Sequence, residues 1–311
     1  MKRNTLNFVI DGLTLLVLMG AGWGITQPMA KIAVSEGYRH IGIMFWQLLL
    51  GAGLLALIAR ARGVTLPVHR RALNLYLLIA LIGSVLPGIA SYEAARHLPA
   101  GWLSVVLSLV PLFAFPVALA LGIDRFGWGR LAGLTLGLIG VALLALPWQA
   151  WLAGGAPDTV RAGYALWLPL ALVAPALYAM EGNYVARFGT AGLDPVQLLL
   201  GASLVGAAIA LPAAVATGTF IDPRPPWGAP DLAILVSSSV HAVVYAGYVW
   251  MVGRAGAVFA AQVSYLVTGF GVVWAMLLLG ERYGTEFWLA LLAMFAGLFL
   301  VQPRPGRPEG G

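Results

Sequence analysis

Almost the entire chain divides into apolar runs of about 20 residues, the length that crosses the hydrocarbon core of a bilayer as an α-helix. Charges, prolines and glycines separate ten of them, at 11–34, 41–60, 72–94, 100–122, 127–147, 164–186, 194–217, 231–252, 256–279 and 284–302. A segment in lipid has no water to satisfy its N–H and C=O groups, so each run is forced to be helical. The expectation is an all-α integral membrane protein with ten transmembrane helices. Its surface chemistry agrees: 10% of the residues are charged, against about 25% in an average soluble domain. The first run follows Lys2 and Arg3 but is too long for a signal-peptide core, so it reads as a permanent helix. The longer connections, 148–163 and 218–230 with Pro223, Pro225, Pro226 and Pro230, are too short to be soluble domains.

Ten spans place both termini on one side. With the termini in the cytoplasm, Lys2, Arg3, Arg60, Arg62, Arg70, Arg71, Arg125, Arg130, Arg187, Arg254, Arg304 and Arg307 fall inside, which is 12 of the 18 basic residues. The positive-inside rule therefore predicts a multi-pass protein of the cell inner membrane with cytoplasmic N- and C-termini. The net charge of +6 is explained by these loops and gives no reason to invoke nucleic acid. With no cysteine in the chain, disulfides, thiolate metal sites and cysteine nucleophiles are excluded. No Gly-rich Lys-Ser/Thr loop, Asp-rich motif or His-Glu-x-x-His helix is present, so neither ATP, nor a metal, nor another cofactor is expected.

The two halves of the chain repeat one another. Gln47-Leu-Leu-Leu-Gly-Ala52 in the second run recurs as Gln197-Leu-Leu-Leu-Gly-Ala202 in the seventh. Asp124-Arg125-Phe126-Gly127 after the fourth recurs as Glu281-Arg282-Tyr283-Gly284 after the ninth. The second match uses residue types that are scarce here, which argues against coincidence. Five spans per half is an odd number, so the second half enters the membrane in the opposite direction. The expected architecture is two inverted five-helix repeats, residues 1–150 and 151–311, around a site near the midplane.

The chain resembles the drug/metabolite transporter superfamily, and within it the EamA-type ten-span permeases. The resemblance is carried by Trp23-Gly24 through Lys31, by Ala94-Ala95-Arg96-His97-Leu98-Pro99-Ala100 leading to Pro111, by Gly253-Arg254-Ala255-Gly256-Ala257, and by Leu279-Gly280-Glu281-Arg282-Tyr283. It covers nearly the whole chain. It implies export of amino acids or other metabolites, with helices one to four and six to nine lining a central cavity and five and ten peripheral. Two departures stand out. Asp124 replaces the family's usual Glu, and the proline expected in the ninth span is missing near Thr268-Gly269. Pro111 and Pro116 therefore place the candidate hinge in the first half alone.

Polar and aromatic residues sharing one helical face within the spans are the candidate cavity residues. His241, Tyr245 and Tyr248 form a stripe in the eighth span, and an offset of 157 carries them onto Ser84, Gly88 and Ser91 in the third. The stripe either lines the cavity or packs against neighbouring helices. Glu181 is the one carboxylate lying well inside a run. A charge at the bilayer centre costs about 2.5–3.5 kcal/mol on insertion scales, so Glu181 either faces a cavity, recognising an ammonium or exchanging protons, or snorkels to the headgroups. Trp23 and Tyr178 align across the repeat, and Gln27 is one turn from Trp23. Lys31 extends that face, either to meet a substrate carboxylate or to mark the helix end. Tyr265 with Thr268, and Ser104 with Ser108, complete the set. Glu93 reads as a local partner of Arg96 and His97, and Asp124-Arg125 and Glu281-Arg282 as structural turns.

These residues point to a secondary transporter, not an enzyme, working by alternating access, and the resemblance implies that it exports amino acids, with aromatic or apolar side chains as candidate substrates and protons as a candidate coupling ion. The alternatives are a uniporter or importer of another metabolite, or a membrane enzyme or sensor on the same scaffold. The partners expected are the small-molecule substrate and the lipid bilayer. Oligomeric state is not legible.

Overall fold

The computed structural model describes residues 2–146, 148, 159–255 and 263–301, with side chains at 13–146, 148, 163–245, 247, 251 and 263–301. The described residues fold into helices connected by turns, with no strand among them. The helices are α1 (Lys2–Ala33), α2 (His40–Ala61), α3 (Arg70–His97), α4 (Ala100–Ala120), α5 (Trp128–Ala145), α6 (Thr159–Phe188), α7 (Pro195–Ala216), α8 (Ala229–Ala255), α9 (Val263–Leu279) and α10 (Thr285–Val301). Seven are long and apolar enough to cross a membrane: α1 from Leu13, α2, α3, α4, α5, α6 from Gly163, and α7. Ala229–Tyr245 of α8, together with α9 and α10, are shorter apolar helices. The run expected at 256–279 begins in residues outside those described, which leaves α9 starting at Val263.

Two helices are irregular, and proline explains both. Pro87 has no N–H to offer the carbonyl of Gly83, so the regular ladder cannot close there. The chain responds with a π turn over Leu81–Val85, in which the Leu86 N–H reaches back five residues to the Leu81 carbonyl. Pro111 likewise cannot bond the carbonyl of Leu107, and α4 divides into Ala100–Leu107 and Val110–Ala120. The joint is closed by tighter bonds, Ser108 N–H to the Val105 carbonyl (3.2 Å) and Leu109 N–H to the Val106 carbonyl (3.1 Å). Pro116 sits inside the second piece without dividing it, and α9, which lacks a proline, runs unbroken.

The helices associate in a regular scheme. α1 packs on α8 and α9, while α6 packs on α3 and α4; α2 packs on α8, and α7 on α3. Further contacts pair α2 with α7, α4 with α9 and α5 with α10. Lipid supplies no hydrophobic drive for helices to meet, so such contacts depend on close van der Waals fit and on polar bonds. Glycine supplies the fit between α5 and α10: a Cβ at Gly297 would stand 2.5 Å from the Gly133 carbonyl oxygen. Polar bonds staple the other pairs. Trp274 of α9 donates its indole N–H to the Ala21 carbonyl of α1 at 2.9 Å. Asn183 of α6, buried, donates to the Ala114 carbonyl of α4 at 3.1 Å and to Ala179 at 2.8 Å.

Candidate functional site

The expected cavity residues separate into two groups, each between two helices. The first lies between α1 and α8. The Trp23 ring lies 6.1 Å from that of His241 and 6.4 Å from that of Tyr245, both tilted, and His241 remains exposed. Positions 241 and 245 are one turn apart on α8, so one indole spans both. The Tyr248 side chain lies outside those described.

The second group lies between α6 and α3. Glu181 is placed against the π turn, so closely that a Cβ at Gly83 would stand 2.5 Å from its carboxyl carbon. Glu181 is therefore directed toward α3, and the reading in which it snorkels to the headgroups finds no support in this contact. Tyr178, one turn earlier on α6, lies within electrostatic reach of Glu181 and of Tyr92. Ser84 belongs to the same π turn and is half-buried. Gly88, one turn on, packs under the Met44 sulfur of α2.

Sequence reasoning missed the residue that ties these elements together. Tyr92 is buried on α3 and donates its hydroxyl to Gln47 Oε1 of α2 at 2.6 Å, with Ser237 of α8 also in hydrogen-bonding contact. Its signal was present, because Tyr92 continues the stripe of Ser84 and Gly88 at a spacing of four. The recurrence of Gln47 at Gln197 hid a division of labour. Gln197 completes a capping box with Asp194 at the start of α7 and donates to the Thr65 carbonyl at 2.7 Å.

Other expected residues stand apart. Tyr265 packs its ring 5.8 Å from Phe295 of α10. Gln27 is half-buried on α1. Ser104 and Ser108 are buried and donate to backbone carbonyls of their own helix, Ala100 and Val105. Thr268 does the same toward Ser264. These hydroxyls are satisfied locally, as helix-bound Ser and Thr often are.

The two ends of the bundle are closed by different chemistry. At the end holding Lys31, Glu281 reaches from the α9–α10 turn to the first turn of α4. Its Oε1 accepts from Ala100 N–H at 2.8 Å and its Oε2 from Gly101 N–H at 3.1 Å. The Tyr283 hydroxyl donates to the same carboxylate, and burial together with Glu281 pushes the Tyr283 phenol up from its ordinary pKa. This is a helix cap supplied from the other half of the chain, satisfying two N–H groups that α4 leaves open. Glu281 is thus more than the local turn expected. Its counterpart Asp124 is local, accepting from Arg125 N–H at 2.7 Å and pairing with the Arg130 guanidinium. Lys31 neither ends its helix in solvent nor sits free: its ammonium donates to the Ala95 and Leu98 carbonyls at 2.7 and 2.9 Å. Glu93 pairs with Arg96 as expected (2.8 Å), and also with His40 of α2 at 2.9 Å. At the opposite end, Arg62 pairs with Asp194 at 2.9 Å.

No cluster of three metal-ligating side chains occurs among the described residues.

A family model, the EamA-like transporter family, matches the chain twice, over residues 10–146 and 165–302. A relative from Streptantibioticus cattleyicolor, named "Probable terminal-alkyne amino-acid exporter", is 27% identical over 285 residues, covering 86% of this chain and 84% of its own. A solved structure described only as the crystal structure of a protein is 17% identical and superposes with a TM-score of 0.61, over 93% of this chain and 96% of that one. It is a likeness of fold.

Proposed function

Because the chain belongs to the EamA-like transporter family, we propose that it is a secondary exporter of amino acids with apolar or aromatic side chains, working by alternating access in a bacterial inner membrane. On this reading ten spans form two inverted five-helix repeats, residues 1–150 and 151–311, with both termini cytoplasmic and the Lys31 end outside. The double family match and the recurring helix pairings, α1 with α8 and α9 as α6 with α3 and α4, support the repeat. The relative's name supports the substrate class.

The observation that carries the reading is the pair of polar and aromatic groups on equivalent helix pairs, Trp23 with His241 and Tyr245, and Tyr178 with Glu181 beside Gly83. In a bundle with few polar side chains, such groups mark where a solute is held. The aromatic group suits an apolar side chain and a substrate ammonium. Glu181 serves as an ammonium partner or proton carrier, Tyr248, Gln27, Ser84, Ser108 and Tyr265 contribute to the wall, and the α4 joint at Pro111, with Pro116 behind it, is the hinge.

Proteoliposomes loaded with a panel of labelled amino acids provide the test. Counterflow is expected for at least one apolar or aromatic amino acid, and its absence across the panel refutes the substrate class. If Glu181→Gln leaves flux driven by a pH gradient unchanged, the proton role fails while export stands.

A further inference from the structure

The Lys31 end carries a polar cavity, separate from the two groups described above. Its volume is about 450 Å³, and Lys31, Trp102, Tyr164, Glu281, Arg282, Glu286 and Phe287 are among the residues that line it. Small-molecule sites span about 300–1,000 Å³, so the space suits one amino acid. The charges around it are unevenly satisfied. Glu281 accepts from Ala100 N–H, Gly101 N–H and Tyr283 and lies within electrostatic reach of Lys31. Lys31 has three N–H groups and gives two of them to Ala95 and Leu98. Arg282 is exposed and forms no ion pair or hydrogen bond among the described residues. Glu286, whose carboxylate folds over Gly284, stands on the same wall. The apolar part of the wall is aromatic, with the Trp102 and Tyr164 rings in edge contact at 5.3 Å.

We propose that this cavity is an outer station for the transported amino acid, in which Arg282 and the remaining N–H of Lys31 hold its carboxylate and Trp102, Tyr164 and Phe287 hold its side chain. A guanidinium presents two parallel donors to a carboxylate, and Glu286 adds a negative charge to the same lining. The station sits on the α4 cap made by Glu281, so a solute leaving the bundle at this end would meet it once that cap opens. The inference rests on the reading of the chain as an amino-acid exporter.

The test uses the full chain in vesicles of fixed orientation, with the labelled amino acid that the wild type moves fastest, offered at each end in turn. Arg282 is exposed and forms no ion pair or hydrogen bond among the described residues, so Arg282→Gln is expected to fold normally. It should raise the half-saturation concentration at the Lys31 end about tenfold and leave that at the opposite end unchanged. Arg282→Lys, which keeps the cation but not the two parallel donors, should recover only part of that loss. If Arg282→Gln changes neither end, or both equally, the station is overturned while export stands. If the wild type moves no amino acid from either end, the exporter reading itself falls, and the station with it.

Discussion

Replacing Glu281 with alanine opens the Lys31 end without touching either aromatic or carboxylate group inside the bundle. The wild-type carboxylate accepts from Ala100 and Gly101 N–H at 2.8 and 3.1 Å and from the Tyr283 hydroxyl. Hydrogen bonds to a charged group are worth about 1.5–3 kcal/mol each, and loss of a helix cap costs about 0.5–2 kcal/mol. Water entering the vacated space recovers part of this, so the state closed at this end should lose about 2–3 kcal/mol relative to the open one. That is a shift of roughly 30- to 150-fold in the closed-to-open ratio. The chain has no cysteine, so Ser108→Cys introduces a single thiol at the α4 joint, a position that is buried. Labelling by a membrane-impermeant maleimide applied at the Lys31 end should accelerate at least tenfold when Glu281→Ala is added. An unchanged rate, in a protein that remains folded by thermal unfolding, would refute the role of Glu281 as a closure between the halves.

Three further outcomes are expected. Gly297→Val should lower apparent stability by about 1–3 kcal/mol through overpacking, because its Cβ meets the Gly133 backbone carbonyl at 2.5 Å; an unchanged melting temperature would mean that α5 and α10 do not pack as described. Gly83→Ala sets a methyl group against the flexible Glu181 carboxylate, so stability should change by less than about 1 kcal/mol while flux falls severalfold, and full flux would detach Glu181 from transport. Tyr38 lies outside the spans, and burial together with its 2.8 Å bond to Asp231 pushes its phenol up to about 12. A raised pKa means that its contribution to stability is complete below pH 10 and lost as the pH rises toward 12; the melting temperature should therefore fall more steeply between pH 10 and 12 in the wild type than in Tyr38→Phe.

The spans were legible because lipid constrains a sequence more harshly than water does. A run of 20 apolar residues has few alternatives to a helix, and the boundaries read at 41–60 and 194–217 lie within a residue or two of α2 and α7. The joint in α4 followed from Pro111, since a missing N–H acts locally. What escaped was everything that depends on which distant helix comes near. Nothing in the surroundings of Glu281 announces that its partner is the first turn of α4, 180 residues earlier. Tyr92 and Gln47 are 45 residues apart on separate helices, and only packing makes them partners. Lys31 reads as either a ligand for substrate or a helix end, and it does lie in the last turn of α1; that its ammonium also closes the end of α3 depends on packing alone. Helical periodicity gives the face of a residue but not what the face meets.

The π turn in α3 has a consequence for how that helix can change. One residue more than the regular ladder needs rotates everything beyond it by about 100°. The first part of α3 lays Tyr76 against Gly201 of α7, and the second sets Gly88 and Tyr92 against Met44 and Gln47 of α2. Pro87 would still lack its N–H after a one-residue deletion within 81–85, so the ladder would stay open there with one residue fewer to span the gap. The wide turn and Pro87 together set the phase in which the second part of α3 meets α2.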